Sequence, residues 1–471
     1  MFNNSHNVAI GGGTFNLTQH RASGKSFLDY ELVRDSDDIF VAFVQLRGTI
    51  ADGAMHNSGE RFDPPKCYPG TRVAILETLL HWIIANDRGD FMRWLFGSAG
   101  AGKSSILQKI AELCAESERN LLIASFFFSR TAALRSDEKR LITTIAYQLA
   151  LSIPETRPYI EAAIEHDPAF FSMSLQCQLQ SLVVEPLNQA YASVGEEHIR
   201  WPHLIVVDGL DECGSPAMQK YILICLRNSA ADCRFPILFL VSSRPETHLL
   251  LTFNQDVFKL GCSRTALDDD YRGEADIRLF LEGTFRDIKE THPLHTYLPA
   301  SWPLPTVIDD LVRKSSGQFI YPATVARFIS PPDSHPAQRL DIVLGISALG
   351  SGHETPFAEL DALYSHILSS LHKQTSSQIV ALLMFPGNEV SWTPERIDSF
   401  LGLLPGSAEH IVNKLASVIK LDLMRRIQIL HASLPDFLYD EKRSQQFYIN
   451  LPEEATYFAK LCLKHFASGS S

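Results

Sequence analysis

The sequence predicts an α/β first half, a parallel sheet with helices on both faces, followed by an α-rich second half. Three observations carry this. Residues 121–128, 204–207 and 237–241 are nearly unbroken apolar runs, as strands buried on both faces require, and they alternate with helical patterns. A glycine-rich loop joins a short strand-like run, residues 92–96, to a helical apolar face. Beyond about Tyr271 strand-like runs become rare and helical spacing dominates.

Taken in order, Gly11-Gly12-Gly13 reads as a flexible turn, because no strand-and-helix frame surrounds it. Ile39, Phe40, Phe43, Leu46 and Ile50 form a helical stripe whose opposite face is not rich in Lys or Arg, so it is expected to pack inside the molecule. The prolines and glycine of residues 63–70, DPPKCYPG, oppose regular structure and mark a boundary. Val73, Leu76, Leu80 and Ile83 then give an apolar helical face, and Ile106, Leu107, Ile110 and Leu113 give another directly after the glycine-rich loop. In the second half, Pro331-Pro332 and Gly350-Ser351-Gly352 break the helical patterns. Ile411, Leu415 and Val418 share a helical face, and residues 426–430 alternate like a short strand. No repeat with a period of about 20–50 residues is present, which excludes a solenoid or propeller.

Composition bounds the function. With 471 residues, 45% hydrophobic and 20% charged, the chain is a folded protein of several domains. Forty-two basic against 54 acidic residues leave a net charge of −12, which gives no support to sequence-independent nucleic-acid binding. The eight cysteines stand singly, without metal-site spacing, and read as reduced thiols. The first residues lack the basic start and apolar core of a signal peptide, and no apolar run approaches membrane-spanning length, so a cytoplasmic protein is expected.

Residues 97–104, GSAGAGKS, fit G-x-x-x-x-G-K-[ST] at every fixed position, between a strand and a helix. Gly97, Ser98, Ala99, Gly100, Ala101 and Gly102 let backbone N–H groups curl around a phosphate, helped by the helix N-terminus. Lys103 would meet the β- and γ-phosphates and Ser104 would hold Mg²⁺, with Ser105 completing the loop. The expected core is therefore a P-loop NTPase binding ATP or ADP with Mg²⁺, with GTP left open as the alternative. Asp208 ends a buried apolar run, where a carboxylate can meet phosphate-bound Mg²⁺. Asp211 or Glu212 could orient or deprotonate an attacking water. Arg244, just past another buried run, would face the same crevice and read the γ-phosphate.

Together GSAGAGKSS, ASFFFSR with KRLITTIAYQLA after it, LIVVDGLDEC and LVSSRPE resemble the NACHT class of STAND NTPases, in the form common in fungi and grouped with the nephrocystin-3-like N-terminal domain. The resemblance runs from about residue 63 to 328. It implies four parts: a short N-terminal segment with an amphipathic helix (1–62), the NACHT core (63–265), a small helical domain (266–345), and a linking helix with a winged-helix-like domain (346–471). It also implies that Thr71 and Arg72, in the PPKCYPGTR lead-in, lie near the base or ribose. In the wider class a histidine after the winged-helix hairpin contacts the β-phosphate of ADP, and His431 in the HxS…DFL element is the candidate here. The resemblance implies a slowly hydrolysing signalling switch whose nucleotide state sets closed or oligomeric forms. The alternative is a non-hydrolysing nucleotide-binding scaffold for partner proteins. At 471 residues the sequence leaves no room for the repeat sensor usual in the class, so either the chain is truncated, or a homo-oligomer or a partner supplies sensing or effector function, or the short N-terminal segment is itself the output element.

Overall fold

The computed structural model describes residues 7–10, 13–16, 37–61, 64–85, 89–130, 132–167, 169–194, 200–267, 273–345, 357–369, 378, 380–381, 392–422, 424–431 and 433–467. Gly11, Gly12, the break at 350–352 and the side chains of Ile39 and Phe40 lie outside them.

The first half is built on a five-stranded sheet. Strands β1 (Asn7–Ile10) and β2 (Gly13–Asn16) pair with each other in a separate antiparallel ribbon. The main sheet comprises β3 (Asp90–Phe96), β4 (Leu122–Phe127), β5 (Leu204–Asp208), β6 (Leu238–Ser243) and β7 (Gly261–Ala266), in the order β4-β5-β6-β3-β7 and parallel throughout. The apolar runs form these strands because both faces are covered. On β5, Leu204 and Val206 enter one buried cluster while Ile205 and Val207 enter the other, and β6 alternates the same way. The sequence reading did not anticipate β7. Its residues, GCSRTA, are partly exposed at the sheet edge and form no apolar run.

Four helices frame the site: α1 (Asp37–Gly48), α2 (Val73–Ala85), α3 (Lys103–Glu116) and α4 (Leu141–Ser152). The α1 stripe packs inside the molecule as expected, with Ala42 and Leu46 in the sheet's core cluster and Phe43 stacked on Tyr147. The segment after α1 is tied to α4: the Ala51 N–H donates to Thr144 Oγ1 at 2.9 Å, and Thr143 Oγ1 donates to the Thr49 carbonyl at 2.9 Å. The expected face of α2 needs correction. Ile75, Leu79, Trp82 and Ile83 are buried, whereas Val73 is 46% exposed. Residues VAILETLLHWIIA are apolar on nearly every side, so periodicity could not select the face that tertiary packing covers.

The second half packs around one cluster running from Ile277 to Phe458. Its helices include Gly273–Thr291, Pro305–Ser315, Ile320–Ile329 and Ala358–Ser369. The alternating run near 426–430 forms β9 (Ile427–Ile429), which pairs antiparallel with β8 (Ile419–Leu421) just before the helix Ser433–Leu438. Among the described residues, no helix is long and apolar enough to cross a membrane.

Candidate functional site

The sheet order brings the chemistry together. Because β6 lies between β3 and β5, the loop after β3, the carboxylate ending β5 and the arginine after β6 all open at the same carboxyl edge. The loop leaves β3 at Phe96 and turns through Gly100 and Gly102, whose φ values of 80° and 91° lie in the left-handed region that glycine reaches without strain. It then enters α3 at Lys103, with Ser104 and Ser105 in the first turn. Lys103 Nζ donates across the loop to the carbonyls of Gly97 at 2.7 Å and Ser98 at 2.8 Å. Lys103 therefore lies over the loop mouth, where an incoming phosphate would meet it.

Asp208 is 3% exposed, and its Oδ1 accepts from Ser242 Oγ at 2.5 Å. Burial pushes its pKa up, while hydrogen bonds from Ser242 and Ser104 and the charges of Arg61 and Lys103 oppose that rise. The Ser104 hydroxyl and Asp208 carboxylate thus adjoin each other, and together they fit Mg²⁺, which takes one or two protein oxygens and shares the rest with phosphate and water. Among the described residues no group of three or more His, Cys, Asp or Glu could hold a metal by itself.

The two remaining acids differ. Asp211, with a 4% exposed side chain, takes Arg244 Nε at 3.2 Å on Oδ2, the Arg244 N–H at 3.0 Å on Oδ1, and Arg130 Nη2 at 3.8 Å on Oδ2. Both carboxylate oxygens of Asp211 are thus engaged by arginine. Glu212 accepts the Arg130 N–H at 3.2 Å, and burial together with the Asp211 charge pushes its pKa up to about 7 despite Arg130 and Arg244. A carboxylate poised near neutrality suits proton transfer to or from water.

The second half closes over this edge at several points. A β-carbon on Gly100 would collide with the Ile320 side chain, so the helix beginning at Ile320 rests directly on the phosphate loop. Thr71 and Arg72 lie at the same seam. Arg72, at φ 60°, donates from Nη2 to the Ala101 carbonyl at 2.7 Å and from its backbone to Asp276 Oδ2 at 2.9 Å, and its guanidinium lies 4.7 Å from the Phe319 ring. Thr71 Oγ1 donates to the Tyr68 carbonyl at 2.7 Å, which holds that turn.

Asp436 reaches from the helix Ser433–Leu438 to Arg244 Nη1 at 2.6 Å and to Arg130 Nη1 at 3.5 Å. Burial works against the Arg244 charge, but Asp436 and Asp211 outweigh it and raise its pKa. Sequence reasoning assigned no role to Asp436 or Arg130, although both sit inside quoted motifs. Only their long-range pairing reveals them, and nothing local signals it.

His431 also faces this site. Its Nδ1 accepts the Ser433 N–H at 3.0 Å, which leaves the ring proton on Nε2, and Ser433 Oγ lies 2.8 Å from both that Nδ1 and Tyr364 Oη. Burial, then the nearby charges of Arg244 and Lys103, bring its pKa down to about 3, so the ring is neutral. The residue is partly exposed.

No curated protein matches the chain. Among solved structures, a STAND protein with a tetratricopeptide repeat sensor from Pyrococcus horikoshii is similar at 10% identity and a TM-score of 0.41, over 79% of this chain and 44% of that one. The chain thus spans less than half the length of that protein. Cdc6p from Pyrobaculum aerophilum is similar at 15% identity and a TM-score of 0.31, over 84% and 98% of the two chains. AMPPCP-bound DnaA from Aquifex aeolicus is similar at 14% identity and a TM-score of 0.27, over 75% and 89%. Residues 70–244, from the turn before α2 to the arginine after β6, match the family model described as Nephrocystin 3, N-terminal.

Proposed function

We propose that the chain is a NACHT/STAND-type signalling switch that binds ATP or ADP with Mg²⁺ in the cytoplasm. The observation that carries this reading is the convergence of Lys103, Ser104, Asp208 and Arg244 with Ile320, His431 and Asp436 from the second half on one carboxyl edge. Lys103 and the loop N–H groups would hold the β- and γ-phosphates, and Ser104 with Asp208 would hold Mg²⁺, which neutralises phosphate charge when bound. Thr71 and Arg72 would line the nucleoside end, and neutral His431 would donate from Nε2 to the β-phosphate. Glu212 is the candidate base for a slow hydrolysis, with Asp211 and Arg130 fixing the arginine side.

In this reading the closed form pairs Arg244 with Asp436, and a γ-phosphate competes for that guanidinium. The ligand shifts the equilibrium because it contacts Arg244 in one form and not in the other. The four-part division at 62/63, 265/266 and 345/346 and nucleotide-dependent self-assembly belong to the same proposal. Nucleotide titration of Lys103→Ala, with solution mass measured in ADP and in a non-hydrolysable ATP analogue, tests it. The reading requires weakened binding in the variant and a mass that differs between nucleotides. Unaltered affinity would remove the phosphate-loop assignment, and a monomer in both states would favour a non-switching scaffold.

A further inference from the structure

Arg61 lies in the turn Gly59–Arg61 that ends the segment following α1, and it is 8% exposed. Its guanidinium sits 3.7 Å from the Phe127 ring, and Nη2 donates to Gln108 Oε1 at 3.0 Å. Nε is buried and has no hydrogen-bond partner among the described residues. Both supports belong to the phosphate site. Phe127 stands opposite Asp208 in the β4–β5 register, and Gln108 follows Ser104 by one turn of α3. Phe127, Leu204, Val206 and the buried face of α3 share one cluster, so Arg61, stacked on Phe127, lies on the face of the sheet that α3 covers.

The charges around Arg61 do not balance it locally. Arg135 repels it, and Asp208 and Glu112 attract it without a hydrogen bond to its buried Nε. Burial first, and Arg135 second, bring its pKa down to about 9. Asp208, the nearby attractor at the site, already accepts from Ser242 and Ser104 and would spend its charge on Mg²⁺. A buried guanidinium without a bonded anion is costly, and an incoming anion at this place would satisfy it.

We propose that Arg61 is a further nucleotide-sensing residue, which recognises the terminal phosphate of a nucleoside triphosphate beside the Ser104–Asp208 pair. The inference rests on the phosphate-loop reading above and deepens it. A diphosphate ends one phosphoryl group short of the Mg²⁺-sharing γ position, so Arg61 discriminates the two nucleotide states. The reading of that state passes to the segment preceding the core, because the His56 N–H donates to Ser125 Oγ at 2.9 Å and Gln108 Nε2 donates to the His56 carbonyl at 3.0 Å.

The test is equilibrium titration of the full chain with ADP·Mg²⁺ and with a non-hydrolysable ATP analogue and Mg²⁺. It compares the parent with Arg61→Gln, Arg61→Lys and Lys103→Ala, and follows thermal melting of each. Arg61→Gln should weaken the analogue by about tenfold or more, as loss of a charge-assisted bond does, while ADP changes by less than about twofold. Arg61→Lys should fall between parent and Gln, since it keeps charge but loses the planar fork. Equal weakening of both nucleotides, with lowered melting, would mean that Arg61 only packs on Phe127 and would overturn the proposal. An unchanged analogue-to-ADP ratio would do the same. If the Gln variant does not fold, the Lys variant decides by whether that ratio shifts by about threefold or stays constant. Failure of the underlying reading looks different: the parent then binds neither nucleotide, or Lys103→Ala binds as the parent does.

Discussion

The two halves of the molecule meet the phosphate loop by different physics. On the core side, Asp208 and Arg244 are held at the ends of strands whose residues are buried throughout, and Ser104 opens a helix whose Ile106, Leu107 and Ile110 are fully covered. On the other side the second half meets the site through a few apolar and aromatic contacts, Ile320 on Gly100, Phe319 on Arg72 and Phe280 on Tyr68, and through ion pairs of Asp436 with Arg244 and Arg130 and of Arg426 with Glu60. The side chains in those pairs are 17–43% exposed. Interdigitated apolar surfaces separate only at large cost, whereas partly solvated ion pairs exchange partners readily. In the proposed reading the seam is therefore where an anionic ligand would act, and the core is where it would be held.

The strongest way to break this contrast is Gly100→Val. It forces a β-branched residue into φ 80° and drives its side chain into Ile320, so nucleotide affinity should drop by roughly 100-fold. A direct titration checks this, and Ile320→Ala in the same background should recover part of the loss. Next in size, Asp436→Asn removes the carboxylate shared by Arg244 and Arg130 and should speed ADP release by about tenfold. Stopped-flow release should also show the parent accelerating with salt more steeply than the variant; identical salt dependence would argue against an electrostatic seam.

A third prediction concerns pH. His431 has its pKa lowered from 6.5 to about 3, so its contribution to stability is present above pH 6.5 and is lost as pH falls toward 3. Glu212 has its pKa raised from 4.5 to about 7, so its contribution is present below 4.5 and is lost as pH rises through 7. Between pH 4.5 and 6.5 the two oppose each other. Melting temperatures across that window should fall less steeply toward acid in His431→Gln and more steeply in Glu212→Gln. The smallest effect belongs to Glu60→Gln at the Arg426 pair, whose partners are 43% and 21% exposed. Its unfolding free energy in denaturant should move by less than about 1 kcal/mol.

Legibility in the sequence follows the same divide. The loop 97–105, Asp208 and Arg244 could be named because each depends on a neighbouring strand or helix written in adjacent residues. Arg130 and Asp436 lie 306 positions apart, and Arg72 finds Asp276 across 204. Arg61 and Arg135 carried no local mark at all, since a buried arginine and a surface one have the same neighbours in a sequence. The face of α2 and the edge strand β7 were missed for a related reason: one segment is apolar all round and the other hardly apolar.

By itself, then, the sequence determined which segments become buried strands and where the chain curls with positive φ between β3 and α3. Apolar periodicity and glycine sterics act within a few residues and are readable there. Only the tertiary structure decided that β6 inserts between β3 and β5, that Asp211 serves Arg244 while Glu212 is left poised near neutrality, and that Asp436 reaches the same arginine. Charge pairing and burial depend on what folds beside a residue, and here those neighbours come from segments hundreds of positions away.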